Sequence, residues 1–225
     1  MDRHLDVEID RLKQKLLRMA GLVEQSIDKA VRALKERQDH FAVEAIEEDA
    51  AINALEIEIE NVCLTILARY QPVAADLRFI MAAVKICNDL ERMGDHAVNI
   101  AQQAQRLIKT PPLKPLIDIP YMANLAQKMV KDALDAFVVG DVQQARAICE
   151  RDDVVDGLED QINRELSTYI LENPKNISQV MSLSMVAKNL ERIADLATNF
   201  GEEVIFMVEA KTIKHHFDDV HIKPS

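Results

Sequence analysis

The chain is poor in aromatic residues: it has no tryptophan, and aromatics make up 4% of its 225 residues. Its core must therefore be built from Leu, Ile, Val, Ala and Met, a composition that favours packed helices over a β-sandwich. No apolar run approaches the roughly 18 residues that a membrane-spanning helix needs, and the first residues lack the apolar segment of a signal peptide. We therefore expect a cytoplasmic, all-α protein without direct membrane insertion.

Cysteines and catalytic motifs are scarce as well. The three cysteines (Cys63, Cys87 and Cys149) are scattered and form no Cys-x-x-Cys pair, which predicts buried thiols in a reducing cytosol. The sequence contains no Gly-x-x-x-x-Gly-Lys, Gly-x-Gly-x-x-Gly, His-Glu-x-x-His or Gly-x-Ser-x-Gly. No histidine follows a Glu by three positions, so the Glu-x-x-His ligands of ferritin-like di-iron proteins are missing.

Positive charge is in deficit, with 27 Lys and Arg against 38 Asp and Glu and a formal net charge of −11. Nucleic-acid binding requires clustered Lys and Arg to neutralise phosphates, and binding to anionic lipid has the same requirement. The charge therefore argues against both. An acidic surface suits cations or basic patches on a partner protein, although the same acidity also keeps a cytosolic protein soluble.

The seven prolines are confined to a few places, and four of them lie in the segment 110–120. Because a proline inside a helix costs about 3 kcal/mol, the long intervals between them are predicted to be helical. Gly140 followed by Asp141 is typical of a helix end and a new N-cap. The prolines and turn residues together predict six helices, at about 4–36, 39–68, 73–109, 120–139, 141–171 and 175–211.

A mostly polar motif occurs twice in the chain. The segment Leu90-Glu-Arg-Met-Gly-Asp-His-Ala-Val-Asn99 returns 100 residues later as Leu190-Glu-Arg-Ile-Ala-Asp-Leu-Ala-Thr-Asn199, with six of ten positions identical. A second match, at an offset of 103, joins Asp49-x-x-Ile-Asn-x-Leu-Glu56 to Asp152-x-x-Val-Asp-x-Leu-Glu159. We therefore predict two tandem three-helix-bundle repeats related by a pseudo-twofold axis, at residues 1–112 and 113–212, followed by a C-terminal tail at 213–225.

The repeated polar residues are spaced by four, which places them in one row along a helix. Similar acidic rows flank the apolar stripes of the second and fifth predicted helices, so antiparallel packing would bring the rows together. Oxygen ligands suit hard or borderline divalent ions and carboxylate-bound iron. The alternative is that these are solvated acids paired with Arg92 and Arg192. The candidate metal ligands are Glu91, Asp95, Asn99, Glu191, Asp195, Asn199, Asp49, Asp152, Asp156 and Glu159.

Two further positions in the motif differ in kind from the acids. Gly94 and Ala194 are small residues on the apolar stripe, and we predict that they allow close approach of the third and sixth helices. His96 has Leu196 in its place in the second repeat, so it is not predicted to be a shared ligand.

Two three-helix repeats that each end in Leu-Glu-Arg-x-(Gly/Ala)-Asp-x-Ala-x-Asn resemble the PhoU family of phosphate-uptake regulators, from about residue 5 to residue 211. The resemblance implies an accessory protein that restrains the phosphate ABC transporter, contacts its ATPase and helps keep the sensor histidine kinase of the phosphate regulon repressed. It also implies a homodimer and multinuclear iron or zinc clusters on the Glu/Asp-x-x-x-Asp motifs, here Glu91, Asp95, Glu191 and Asp195.

Two other functions stay open at the level of the sequence. A carboxylate-bridged metalloenzyme would use the same acids, but the chain offers neither a nucleophile–base constellation nor paired His ligands. A generic helical scaffold is the other alternative, although duplication of polar rather than apolar positions disfavours it. We expect a regulatory adaptor without catalytic turnover.

Overall fold

The computed structural model describes residues 2–211, so the predicted tail at 213–225 lies outside the described residues. Over residues 2–211 the chain is helical and contains no strand, which confirms the all-α prediction. The helices are α1 (Asp2–Glu36), α2 (Asp39–Tyr70), α3 (Ala74–Ile108), α4 (Asp118–Val139), α5 (Val142–Cys149), α6 (Asp152–Glu172) and α7 (Ile177–Glu209), with a 3₁₀ turn at Pro174–Asn176 before α7.

The turn residues act as the sequence predicts. Gly140 ends α4 in the left-handed conformation at φ 71°, and its N–H donates to the carbonyl of Ala136. Asp141 caps α5 because its side chain accepts a hydrogen bond of 3.0 Å from the N–H of Gln144. Asn173 accepts from the N–H of Lys175 and opens the 3₁₀ turn.

The fifth predicted helix is wrong as a single element, because the chain turns at Glu150 and Arg151 between α5 and α6. Arg151 lies between the two helices, and its side chain forms an ion pair with Asp132 on α4. The α6 helix then restarts at Asp152 and Asp153, whose negative charges suit the positive end of a helix dipole. Two consecutive acids are typical of the first turn of a helix, so the sequence contained a signal for the start of α6.

Two helical bundles result from this element order. Helices α1, α2 and α3 pack against one another in the first, and α4 to α7 form the second. Their shared core is aliphatic, as the composition predicts, and includes side chains with no exposed surface such as Leu12, Leu16, Ile52, Leu90 and Leu190.

The two bundles meet along α3 and α7, which run antiparallel. Near one end, the Arg78 side chain donates to the carbonyl of Met207 across 3.2 Å. In the middle, Nδ1 of His96 lies 2.8 Å from Oδ1 of Asn189 and donates to it. We call this contact between α3 and α7 the seam.

Aromatic rings join the seam to α4. Phe137 of α4 lies between Phe79 of α3 and Phe200 of α7, with ring centroids 5.4 and 5.9 Å away. Phe137 and Phe200 are fully buried or nearly so. Three of the six phenylalanines of an aromatic-poor chain are therefore placed where the two repeats meet.

The linker between the repeats is fastened at both ends. Lys114 is buried and forms ion pairs with Asp118, at 3.8 Å, and with Glu165 of α6. Gln179 of α7 donates to the carbonyl of Pro111 across 2.6 Å.

The described residues also bear on the cysteines and on membrane insertion. Cys63 and Cys87 are buried and Cys149 is half-buried, all as free thiols. Burial raises the pKa of Cys87 to about 12 and that of Cys63 to about 11, so both stay protonated at neutral pH. None of the helices within residues 2–211 has the length and apolar character required to traverse a bilayer.

Removing the central ring of the aromatic contact should weaken the whole fold. We expect Phe137→Ala to lower the free energy of unfolding by about 3–5 kcal/mol, because it leaves a cavity between the repeats. Urea denaturation followed by circular dichroism measures this. Tyr121 lies on the same helix but is 53% exposed, so Tyr121→Ala serves as the control and should change stability by less than about 0.5 kcal/mol.

Candidate cation site on the duplicated acidic rows

In the first repeat, the acidic rows of α2 and α3 converge as predicted. Asp49 and Glu56 of α2 lie close enough to Glu91 and Asp95 of α3 for their charges to interact. We call these four residues cluster 1. The side chain of Asn53 donates to Oδ2 of Asp49 across 2.9 Å, while Oδ1 of Asp49 is buried and accepts no hydrogen bond from any described residue.

The carboxylates of cluster 1 are electrostatically strained. Burial raises the pKa of Asp49, and the charge of Asp95 raises it further. Burial also raises the pKa of Glu91, with added contributions from Asp95, Glu56 and Asp49. Glu56 follows the same pattern, with burial first and then Glu60 and Asp95. The folded protein therefore holds a group of negative charges whose mutual repulsion a cation would relieve.

Gly94 allows α2 to approach α3 directly beside cluster 1. A Cβ at this position would lie 3.1 Å from Cδ1 of Ile52 and 3.6 Å from Oδ1 of Asp49. The absence of a side chain at Gly94 therefore allows α2 to pack closely against α3. The prediction that Gly94 serves the contact between α3 and the last helix is wrong. The second repeat accommodates a Cβ there, since Ala194 is fully buried.

In the second repeat, acids from α6 and α7 converge but are partly neutralised from within. Lys188 Nζ lies 2.9 Å from Glu191 and 3.5 Å from Glu159, and Arg192 lies 3.0 Å from Asp195. The charge of Asp195 also acts on Asp156, whose pKa is raised chiefly by burial. We call Asp156, Glu159, Glu191 and Asp195 cluster 2.

Lys188 was not singled out from the sequence, although it decides the difference between the clusters. Asn88 occupies its position in the first repeat. Arg92, the counterpart of Arg192, forms its ion pair with Asp89, at 3.7 Å, although its charge also acts on Glu91 and opposes the rise in the pKa of that residue. The exchange of Asn88 for Lys188 is visible in the sequence, and a comparison of the non-identical positions of the two repeats would have revealed the difference between the clusters.

Three other predicted ligands lie apart from the clusters or at their margins. Asn99 is exposed and forms no hydrogen bond with the described residues. Asn199 lines a separate groove, together with Asp89 and Glu203. Asp152 is buried at the start of α6, where its charge acts on the thiol of Cys149.

The clusters bring acids together without forming a finished metal site. Among residues 2–211, no three His, Cys, Asp or Glu side chains lie in an arrangement that could hold a metal ion. The chemistry that the geometry supports directly is therefore attraction of positive charge.

Known proteins share this fold and its duplication. A family model described as the PhoU domain matches residues 16–104 and again residues 119–204. A protein of Aquifex aeolicus (strain VF5), named phosphate-specific transport system accessory protein PhoU homolog, is 45% identical over 216 residues, or 96% of each chain. The crystal structure of PhoU from Pseudomonas aeruginosa superimposes with a TM-score of 0.89 at 37% identity, covering 92% of this chain and 99% of that one. That of the phosphate transport system regulatory protein PhoU from Streptococcus pneumoniae gives 0.86 at 27% identity, covering 94% and 100%.

The same substitution in the two clusters should have different effects on stability. Asp95→Asn removes a charge that raises the pKa of Asp49, Glu56 and Glu91, so it should stabilise the protein at pH 7 by about 0.2–0.5 kcal/mol for each repelling pair. Asp195→Asn removes the ion-pair partner of Arg192 and should not increase the free energy of unfolding.

The difference in stability between the Asp95→Asn and Asp195→Asn variants should also depend on pH. Carboxyl groups whose pKa is raised by folding destabilise the native state above that pKa, and the penalty disappears as they protonate. The advantage of Asp95→Asn should therefore shrink as the pH falls from 7 towards 4.5, the ordinary pKa of Glu. Urea denaturation at several pH values measures this; equal gains from both substitutions would contradict the difference between the clusters.

Proposed function

The chain belongs to the PhoU domain family, and we propose that it is a cytoplasmic accessory protein that negatively regulates phosphate uptake and the phosphate regulon. It acts as an adaptor, without catalytic turnover, between the phosphate ABC transporter with its ATPase and the sensor histidine kinase. The 45% identity to a phosphate-specific transport system accessory protein, over 96% of both chains, carries this proposal.

Cluster 1 is the surface that we propose for contact with a partner. Within residues 2–211, none of its four carboxylates forms an ion pair with a Lys or Arg, although the charge of Arg92 acts on Glu91. In cluster 2, by contrast, Lys188 and Arg192 form ion pairs with the acids. A basic patch on the kinase or on the transporter ATPase would supply the missing positive charge. Such complementarity raises association rates and selects partners more than it adds raw affinity.

A metal is the other cation that cluster 1 could take, and the iron or zinc clusters of the sequence analysis remain a prediction. Oxygen-only donors suit iron bound through carboxylates better than zinc, which prefers nitrogen and sulfur ligands. The buried, unpartnered Oδ1 of Asp49 would be available as a donor, with Glu91 and Asp95 beside it. The carboxylates come close enough to repel one another, but no three of them are arranged to hold a metal ion among the described residues. The homodimer likewise remains a prediction.

A phosphate-starvation reporter tests the regulatory role. In cells that lack this protein and grow in abundant phosphate, secreted alkaline phosphatase activity should stay high, and the wild-type copy should silence it. Glu91→Gln with Asp95→Asn should fail to silence it, whereas the matched pair Glu191→Gln with Asp195→Asn should retain most of the silencing. A reporter that stays off without the protein would refute the regulatory role, and equal silencing by both pairs would refute the use of cluster 1.

Metal content is tested separately on purified, untagged protein. After incubation with iron or zinc and removal of excess metal, elemental analysis should find metal in the wild type and in the cluster 2 variant but not in the cluster 1 variant. Metal-free wild-type protein after this treatment would remove the metal prediction and leave the partner contact in place.

A further inference from the structure

A second polar site lies at the seam, away from both acidic clusters. A cleft of about 250 Å³ opens between the last turns of α3 and the first turns of α7. A water molecule occupies about 30 Å³ in the liquid, so the cleft has room for a small ion and part of its hydration shell. Its polar lining includes Gln103 and Arg106 from α3 and Ser178 and Ser182 from α7.

Two largely buried side chains of this cleft carry donors that have no partner among the described residues. Ser182 is 8% exposed, and its hydroxyl has no hydrogen-bond partner anywhere in the described chain. Gln103 is 3% exposed; its carbonyl oxygen accepts from Arg106 across 3.5 Å, but its amide nitrogen donates to no described group. Neither the Ser182 hydroxyl nor the Gln103 amide nitrogen is among the fully enclosed polar atoms that lack a partner within residues 2–211. Both donors therefore face the open cleft, where they are available to a ligand with acceptor oxygens.

The charge of the cleft is positive, in contrast to the acidic chain as a whole. No Asp or Glu lines it within residues 2–211, and Arg106 forms no ion pair with any described residue. The cleft also lies beside the first turns of α7, a helix of 33 residues that follows directly on the 3₁₀ turn capped by Asn173. The positive end of that helix dipole favours an anion.

The opposing dipole of α3 is already neutralised. The C-terminal end of α3 reaches the same region and carries partial negative charge. Arg37, in the turn between α1 and α2, donates to the carbonyls of Leu107 and Ile108, each across 3.0 Å, and to that of Thr110. This guanidinium satisfies the end of α3, so the cleft keeps the positive character set by Arg106 and α7.

The equivalent position at the other end of the seam shows that packing does not require these residues. At an offset of 100, Gln103, Arg106 and Ser182 correspond to Glu203, Phe206 and Ala82. That end carries an ion pair of 2.6 Å between Lys85 and Glu203. The same helix crossing therefore forms with an acid, an apolar ring and a methyl group in place of the donors.

We propose that the cleft between α3 and α7 binds a small phosphate-type oxyanion through the guanidinium of Arg106, the amide of Gln103 and the hydroxyls of Ser178 and Ser182. Charge-assisted hydrogen bonds from Arg and neutral donors are the usual means of holding such anions. The anion would join the two repeats across the seam. The site is separate from cluster 1 and does not rest on the proposed regulatory role.

Calorimetric titration of the purified full chain with inorganic phosphate, at constant ionic strength, tests the proposal. The wild type should bind saturably, and Arg106→Gln should weaken binding about tenfold, which corresponds to loss of one charge-assisted contact. Ser182→Ala should weaken binding several-fold while leaving the melting temperature of the free protein unchanged, because the hydroxyl has no partner to lose. That combination separates a ligand-binding hydroxyl from a structural one.

Arg69→Gln is the matched control, since Arg69 is also exposed near a helix end and lines a groove that contains Glu8 and Glu58. It should bind phosphate like the wild type. A parallel titration with glycerol 3-phosphate distinguishes free phosphate from a phosphate ester, and saturable binding of either through Arg106 and Ser182 supports the site. Absence of saturable binding of both ligands, or binding unaffected by Arg106→Gln and Ser182→Ala, would overturn the proposal. If the phosphate-starvation reporter is silenced by the wild-type protein but no anion binds in the titration, the proposed binding site in the cleft is refuted and the regulatory role is not.

Discussion

The antiparallel packing of α3 against α7 is the contact on which the rest of the molecule depends. Both copies of the polar motif lie on these two helices, so the seam fixes how the two repeats face each other. The rings of Phe79 and Phe137, which stack, and of Phe200, which meets Phe137 edge to face, bury apolar area at this junction. Each motif can then turn its acidic row towards the neighbouring helix of its own repeat, α2 for cluster 1 and α6 for cluster 2.

Duplication has given the chain two similar scaffolds with different charges. Lys188 and Arg192 partly neutralise cluster 2, whereas cluster 1 has Asn88 in place of the lysine and Arg92 forms its ion pair with Asp89. Interactions of like charges in a partly buried setting cost stability, and a fold selected only for stability would relieve them. Asp156 and Glu191 of cluster 2 also have raised pKa values, but the charge of Lys188 opposes the rise at both. Only one repeat therefore carries an inserted lysine, which is the pattern expected when one copy has kept a binding role and the other a structural one.

The sequence was sufficient to predict the helices other than the fifth, the two halves and the convergence of the acidic rows, because these depend on local rules such as proline placement and residue spacing. It failed where a long-range contact decides the outcome. The turn at Arg151 depends on an ion pair with Asp132 of α4, and the neighbour of Gly94 proved to be Ile52 of α2. Identical repeat positions pointed to the acids, but the non-identical ones, Asn88 and Lys188, determine how those acids behave. The role of His96 is likewise explained only by the seam, where it donates to Asn189.

Helix α3 contributes to both polar sites, and this constrains how they could influence one another. Glu91 and Asp95 lie about three turns before Gln103 and Arg106 on the same helix. Coupling between two sites requires two arrangements of a shared element that the ligands favour differently. A cation at cluster 1 would draw α3 towards α2, whereas an anion in the cleft would draw α3 towards α7. Because Gly94 already places α2 in close contact with α3, the first movement has little room. The seam is therefore the joint at which an anion could change the position of α3, and with it the surface that cluster 1 presents.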